Sequence, residues 1–325
     1  MFKILLTFCL FFSFNLQAKE YYLKNYSCDD DHYIRYGFFF SELKKHPQKT
    51  LIIFLQGMKS FIEKHGETID ILNDSGYDVF SFDWRSQGGS SRYLEEDTQK
   101  IHIPSFDIWL DDLDKVLNFK RIKKYENIIF AGISMGGHLL LRSLLERDMW
   151  RKLKVRGVIF LAPMIDLYTY NLPYSWTQLY VKYQVLNNPF DFAMGCKPYD
   201  FKEGYKDHEL STYDKNRAMT AFDISRLCPE FVTSGPTWYF IDKMLDSLET
   251  LHANPKQFND IPSLWVIAKD DVIINNSRIL EFMSNYSELR IYDDAKHNLF
   301  EEKDEVRERL FVDIASFINK VMPSI

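Results

Sequence analysis

The segment FAGISMGGHLL, residues 130–140, contains a serine that could act as a nucleophile. Ser134 lies between Gly132 and Gly136, after an apolar run typical of a buried strand and before a run with helical spacing. At such a sharp turn the hydroxyl stands above the sheet edge, and larger residues in the two glycine positions would collide. The N–H of Met135 would point at the same place, where it can stabilise an oxyanion. The motif therefore predicts acyl transfer with Ser134 as the nucleophile.

A serine hydroxyl needs a base, and the base needs an acid that orients it. When the nucleophile stands on a strand-to-helix turn of this kind, the acid and then the histidine follow it along the chain. His297 lies in a loop after a short predicted strand, where catalytic groups of open α/β sheets collect. His138 is one helical turn after Ser134 and is expected to pack on that helix, while His208 and His252 lie in a later insertion. We therefore predict His297 as the base.

The segment WVIAKDDVIINN provides two candidates for the acid, Asp270 and Asp271, at the end of a predicted strand. A register counted from the small residue Ala268 selects Asp271, whereas a shift of one residue would select Asp270. Asp293 and Asp294 are weaker candidates, because they are too close in sequence to the histidine. Asp271 is the predicted acid.

The loop after the first predicted strand could supply a second oxyanion donor. In the segment LQGMKS, Gly57 permits a close turn and the N–H of Met58 would point inward. An ordinary glycine at the end of a strand is the alternative. The sequence has no CxxC or HExxH pattern and no cluster of cysteines and histidines. We therefore predict no metal site and no cofactor.

Short apolar runs rich in β-branched residues alternate along the chain with segments of helical spacing. Nearly continuous apolar character is typical of parallel strands that are covered on both faces. The chain is therefore predicted to be an α/β protein with a mostly parallel central sheet flanked by helices. The predicted elements are an antiparallel pair at residues 21–26 and 33–41, buried strands at 50–57, 77–84, 127–132, 155–163 and 261–269, and helices at 61–73, 106–119, 135–146 and 305–322.

The alternation of strands and helices stops after the strand near Ile159. Residues 164–259 carry scattered aromatic residues, several prolines and no clear strand. Because a loop between a strand and a helix normally has about 2–6 residues, this segment is predicted to be an inserted helical cap. The core is then formed by residues 19–163 and 260–325.

Residues 1–18 are predicted to be a signal peptide. A basic start at Lys3 is followed by a mostly apolar run over residues 4–16, and the small residue Ala18 ends the segment. The apolar run is shorter than the about 20 residues of a membrane span. A retained N-terminal anchor is the alternative. The protein is therefore predicted to be exported, either to a periplasm or out of the cell, and it could associate with a membrane.

Composition limits the partners and the covalent crosslinks. The formal net charge is −6 without a long run of one sign, so no nucleic-acid binding is predicted. Three cysteines remain after removal of the signal peptide, and they allow at most one internal disulfide. Cys196 and Cys228 are the favoured pair, with three buried thiols, including Cys28, as the alternative.

Four stretches resemble the lysophospholipase and monoacylglycerol lipase group of α/β-hydrolases, above all the Gram-negative bacterial lysophospholipases. They are FDWRSQGGSS (residues 82–91), GISMGG (132–137), AKHNLFEEKDEVRERLFVDIASFI (295–318) and, within residues 188–247, NPF, STYDKNR and GPTWYFIDKMLDS. The sequence also departs from the family pattern. Gln56 replaces a histidine of the oxyanion loop, Ser60-Phe61 replaces Glu-His, Ser86-Gln87 replaces Gly-His and Ala268 replaces a glycine near the acid.

The resemblance implies an α/β-hydrolase fold and a serine esterase that releases a fatty acid from single-chain glycerolipids. Lysophospholipids are the favoured substrates, hydrolysed through a Ser134–Asp271–His297 triad and an acyl-enzyme. The alternatives are a monoacylglycerol lipase or broad carboxylesterase, and a non-catalytic lipid-binding relative. The expected partners are the lipid substrate and, through the cap, a membrane surface, with no obligate protein partner. Six cationic residues of the cap could meet a lipid phosphate or be solvated at the surface: Lys182, Lys197, Lys202, Lys206, Lys215 and Arg217.

Overall fold

The computed structural model describes residues 21–43, 49–168, 173–253, 255 and 258–323; the predicted signal peptide lies outside them. The strands are β1 (Tyr21–Ser27), β2 (Tyr33–Phe39), β3 (Thr50–Leu55), β4 (Asp78–Phe82), β5 (Lys100–Ile101), β6 (Asn127–Ile133), β7 (Val155–Leu161), β8 (Gly235–Pro236), β9 (Ser263–Ala268) and β10 (Ser287–Tyr292). The helices are α1 (Gly66–Asp74), α2 (Phe106–Leu117), α3 (Met135–Glu146), α4 (Tyr174–Asn187), α5 (Tyr205–Glu209), α6 (Lys215–Leu227), α7 (Trp238–Ala253) and α8 (Asp304–Val321).

Eight of the strands form one sheet in the order β1-β2-β4-β3-β6-β7-β9-β10. Strand β2 pairs antiparallel with β1 and with β4, whereas all neighbours from β4 to β10 are parallel. The carboxyl ends of the parallel strands therefore meet at one edge, where open α/β sheets bind their ligands. The predicted fold class, a mostly parallel sheet flanked by helices, is confirmed.

Both faces of the sheet are covered by helices. In β3, Ile53 and Leu55 belong to a hydrophobic cluster with α2 and α3, while Ile52 and Phe54 belong to a second cluster with α1 and α8. Successive side chains of a strand point to opposite faces, so only a continuous apolar run can fill both clusters. Burial of each of these side chains contributes about 1.5–3 kcal/mol to the stability of the fold.

The segment predicted as a helix over residues 61–73 begins instead with a 3₁₀ turn, Ile62–His65, and α1 follows it. The cause lies outside the segment. The N–H of Ile62 donates to the buried carboxylate of Asp83 over 2.9 Å, and this bond fixes a tight turn where a regular helix would start. The strand bounds differ from the predicted ones by a few residues at most.

Helices α4 to α7 lie between β7 and β9, as the predicted insertion requires. The sequence of this segment shows no clear strand, and the structure adds the two-residue β8, which pairs in parallel with β5 of the core. This pairing provides hydrogen-bond partners for a buried loop. Helix α7 also joins the main core, to which it contributes Phe240, Met244 and Leu251. The domain bounds at 163/164 and 259/260 stay predictions.

The cysteines are thiols in the structure. Cys28, Cys196 and Cys228 form no disulfide, so the favoured Cys196–Cys228 pair is wrong, and the alternative of three buried thiols is correct in the thiol state but not in the burial. Cys228 is buried, whereas Cys28 and Cys196 are partly exposed. Among the described residues, no helix combines the length and the hydropathy needed to cross a membrane.

Candidate active site

Ser134 stands on a strained turn between β6 and α3. Its backbone has φ 52° and ψ −120°, a conformation that costs a non-glycine residue about 1–3 kcal/mol. The flanking glycines are required by close backbone contacts. A Cβ on Gly132 would lie 2.9 Å from the carbonyl oxygen of Gly136, and a Cβ on Gly136 would overlap the carbonyl oxygen of Leu55. The predicted reason for the two glycines is therefore confirmed.

His297 and Asp271 are joined by a hydrogen bond. His297 Nδ1 lies 2.7 Å from Asp271 Oδ2. The other oxygen of the buried Asp271 carboxylate accepts from the backbone N–H groups of Ile273 and Ile274 over 2.8 and 3.0 Å. These bonds fix the carboxylate, which in turn fixes the histidine ring. Since a carboxylate only accepts hydrogen bonds, Nδ1 carries the proton, and in the neutral ring Nε2 then carries the lone pair.

The alternative acids have other partners. The exposed carboxylate of Asp270 accepts from the hydroxyl of Tyr213 over 2.8 Å. Asp293 pairs with Lys269 over 3.1 Å, and Asp294 pairs with an arginine of α8. The structure therefore places Asp271, and none of the other three predicted candidates, against the ring of His297.

Ser134 and His297 line one cavity of about 300 Å³, together with Gly57 and Met58 of the loop after β3. The loop lies directly against the serine, since a Cβ on Gly57 would be 3.3 Å from the Cβ of Ser134. Met135 opens α3 immediately after the serine. Both predicted oxyanion donors are therefore next to the nucleophile in the structure.

A buried carboxylate supports the loop that carries Met58. Asp83 Oδ1 accepts from Gln56 Nε2 and from the N–H of Ile62, each over 2.9 Å. Asp83 Oδ2 accepts from Arg35 Nε and from the N–H of Gly89, each over 2.8 Å. Gln56, one of the departures from the family pattern, thus binds the acid that positions the loop.

Gln87, another departure, holds the same loop from the opposite end. Its Oε1 accepts from the N–H of Lys59 over 2.6 Å. Lys59 has φ 65°, a left-handed conformation that a lysine adopts only when its surroundings stabilise it. The loop after β3 is therefore tied to the β4 loop by two glutamine side chains.

The other candidate histidines have structural partners. His138 is buried and its Nε2 lies 2.7 Å from Ser247 Oγ of α7, and burial lowers its pKa to about 3. His252 Nε2 donates to the carbonyl of Ile165 over 2.6 Å. His208 lines the cavity of Ser134, and burial together with nearby lysines lowers its pKa to about 3. The expected packing of His138 on the helix is confirmed.

Sequence reasoning missed three charged residues of this cavity. Lys59 and Lys64 lie in the segment after the oxyanion glycine, and Glu301 lies in a 3₁₀ turn after His297. The signal in the sequence that could have indicated this role is the position of the two lysines a few residues after Gly57, in the turn that follows β3. The six cationic residues of the cap, by contrast, do not line this cavity, and Arg217 binds Asp214, Glu67 and Asp304 instead.

Comparison with known proteins fits this geometry. The model of the Hydrolase_4 family, described as serine aminopeptidase S33, matches residues 46–304. The chain belongs to this family. As a member of this family it is a hydrolase, and solved enzymes that share its α/β-hydrolase fold include monoacylglycerol lipases.

Among curated proteins, the chain is 23% identical over 287 residues to the probable lysophospholipase L2 of Haemophilus influenzae. The aligned residues cover 83% of this chain and 84% of that protein. Among solved structures, it is similar to a soluble variant of the monoglyceride lipase of Saccharomyces cerevisiae, with TM-score 0.72 and 20% identity over 96% of this chain and 100% of that chain. The monoacylglycerol lipase of Paleococcus ferrophilus has TM-score 0.62 and 17% identity, over 89% of this chain and 98% of that chain.

Proposed function

We propose that this enzyme releases a fatty acid from lysophospholipids through a Ser134–Asp271–His297 triad and an acyl-enzyme. The observation that carries the proposal is the 2.7 Å hydrogen bond between His297 Nδ1 and Asp271 Oδ2, beside a serine on a strained turn in the same cavity. The choice of lysophospholipids is supported by the similarity to a probable lysophospholipase.

In the proposed reaction, His297 Nε2 takes the proton of Ser134 while Oγ attacks the acyl carbonyl. Asp271 keeps the ring in the required tautomer and stabilises its charged form. The N–H groups of Met58 and Met135 hold the oxyanion. His297 then gives its proton to the departing glycerol oxygen, and a water molecule repeats the sequence on the acyl-enzyme, which releases the fatty acid and regenerates Ser134.

A lipid surface is the proposed partner of the cap. Val181 is the buried residue of α4, whereas several large apolar side chains of the same helix are exposed. They include Trp176 at 66%, Leu179 at 65% and Leu186 at 84% exposure. A helix that presents such residues fits the boundary between headgroups and acyl chains, which is also where a single-chain lipid resides.

Export to a periplasm or out of the cell is also part of the proposal. It is supported by the sequence of residues 1–18 alone.

The test is fatty-acid release by purified protein lacking residues 1–18. The substrates are a lysophospholipid and a monoacylglycerol of the same chain length, with the Ser134→Ala variant alongside. We expect a higher kcat/KM for the lysophospholipid, and a loss of roughly 10⁴-fold or more in the variant. A Ser134→Ala variant that keeps most of its activity would contradict the proposed nucleophile.

A monoacylglycerol lipase is the second candidate, supported by the similarity to monoglyceride lipases over nearly the whole chain. Equal or faster turnover of the monoacylglycerol would favour it over the lysophospholipase. If folded protein releases fatty acid from neither substrate and does not react with a serine-directed phosphonate, the non-catalytic lipid-binding relative becomes the better explanation.

A further inference from the structure

The cavity that holds Ser134 is lined by two lysines. Lys59 and Lys64 both line it, together with His297 and the serine. Among the side chains that the structure describes, no acid lies within ion-pair distance of either lysine. The Nζ of Lys64 has a long hydrogen bond of 3.4 Å to the carbonyl of Lys59 and lies 5.0 Å from the ring centre of Phe61. Two like charges in one cavity repel each other, and an anion between them relieves the repulsion.

Apart from Glu301, whose charge acts on Lys64, the remaining polar groups of the cavity are neutral histidines, hydroxyls and an amide. Burial lowers the pKa of His65 to about 3, so this ring is neutral, and its Nε2 lies 2.7 Å from Ser60 Oγ. Glu301 is the acid of the cavity, and its Oε2 is buried without a hydrogen-bond partner. Burial raises the pKa of Glu301 to about 7, although the nearby charge of Lys64 opposes this rise, and the protonated form can donate a hydrogen bond to an anion.

We propose that this cavity is the subsite for the phosphate of the lysophospholipid headgroup, with Lys59 and Lys64 as its ligands. The inference rests on the proposed function, since it places the phosphate of the same substrate next to the ester bond that Ser134 attacks. The cavity volume of about 300 Å³ lies at the lower end of ligand pockets, which suits a headgroup. The cations come from the core loop that carries the oxyanion donor Met58, and not from the cap.

The first test compares a lysophosphatidylethanolamine with a monoacylglycerol of the same chain length. For Lys64→Met and Lys59→Met we expect the ratio of the two kcat/KM values to shift at least about tenfold against the phospholipid, because a charge-assisted hydrogen bond is lost. Lys64→Arg keeps the charge and should restore most of the preference. The matched control is Lys154→Met, an exposed lysine at the opposite edge of the sheet, which should leave both activities at the wild-type level.

The second test measures binding without catalysis. Calorimetry should detect binding of glycerophosphoethanolamine, the deacylated product, to the Ser134→Ala protein. Addition of the Lys64→Met substitution should abolish this binding. The melting temperature of the double variant serves as the control for folding. Inorganic phosphate should bind more weakly. If it binds as tightly as glycerophosphoethanolamine, the cavity is a general anion site and the headgroup assignment is overturned.

The two tests separate the failure of this inference from the failure of the proposed function. If the lysine variants lose both lipid activities equally and bind glycerophosphoethanolamine like Ser134→Ala, the lysines are structural and the phosphate subsite is wrong, while the triad stands. If the wild type hydrolyses neither lipid, the proposed function fails, and the calorimetry still decides whether the cavity binds a phosphodiester.

Discussion

The ring of His297 is hydrogen-bonded to Asp271 and not to Asp270, although the two acids are adjacent in sequence. His297 Nδ1 lies 2.7 Å from Asp271 Oδ2, whereas Asp270 accepts from Tyr213 at the protein surface. One residue of register at the end of β9 therefore separates a buried acid that orients the base from an exposed acid that does not.

The first prediction follows from this pair of acids. Asp271→Asn should lower kcat by roughly 10⁴-fold, because an amide cannot stabilise the charged histidine and can favour the wrong tautomer. Asp270→Asn is the matched control and should change kcat less than about threefold. Kinetics with one soluble ester substrate measures both. An equal loss in the two variants would contradict the assignment of Asp271.

The second prediction concerns the glycine after the nucleophile. Gly136→Ala should destabilise the protein by about 2 kcal/mol or more and abolish most activity, because the new Cβ would overlap the carbonyl oxygen of Leu55 and push the oxyanion loop away. Gly66→Ala at the start of α1 is the control, since a Cβ there meets no atom within 4 Å. Urea unfolding and ester hydrolysis give the two readouts. A fully active Gly136→Ala variant would show that the loop has more space than described.

The third prediction concerns pH. Burial lowers the pKa of Lys64 and raises the pKa of Glu301, so both groups lose their protons nearer to neutral pH than usual. A phosphate binds best when both are protonated, and its affinity should therefore fall as the pH rises from about 6 to about 9. A monoacylglycerol has no phosphate, so the ratio of the two KM values isolates this effect from any pH effect that both substrates share.

The KM of the lysophospholipid, divided by the KM of the monoacylglycerol, should thus increase with pH. Glu301→Gln removes one of the two titrations and should flatten the curve. A ratio that stays constant or decreases with pH in the wild type would contradict a phosphate at Lys64.

The fourth prediction concerns the exposed face of α4. Replacement of Trp176, Leu179 and Leu186 by serine should lower partitioning onto phospholipid vesicles by at least about tenfold, because apolar area no longer enters the interface. Val312→Ser on α8 removes a side chain of similar exposure, 67%, and serves as the control. Vesicle co-sedimentation measures partitioning. Hydrolysis of a soluble ester should continue in the triple variant, and unchanged partitioning would rule out α4 as the contact.

The sequence by itself determined the local features of this protein. Continuous apolar runs predicted the buried strands, because the side chains of each strand pack into a hydrophobic cluster on either face of the sheet. The turn at Ser134 was predictable from its local pattern of strand, Gly-x-Ser-x-Gly and helix, although only Gly132 is required by a backbone contact near the serine and Gly136 is required by the distant Leu55. The chain order of acid and histidine then limited the search to a few residues, among which His297 stood out by its position after a strand.

The tertiary structure decided what depends on distant parts of the chain. It placed Asp271 rather than Asp270 at His297, because strand register and burial are set by packing. It showed Gln56 and Gln87 as supports of the oxyanion loop, since Gln56 binds Asp83 after β4, and Gln87, also after β4, binds Lys59 of the loop. It also brought Lys59, Lys64 and Glu301 into one cavity from loops more than 200 residues apart. No spacing in the sequence encodes such a meeting, because only the sheet order brings those loops to the same edge.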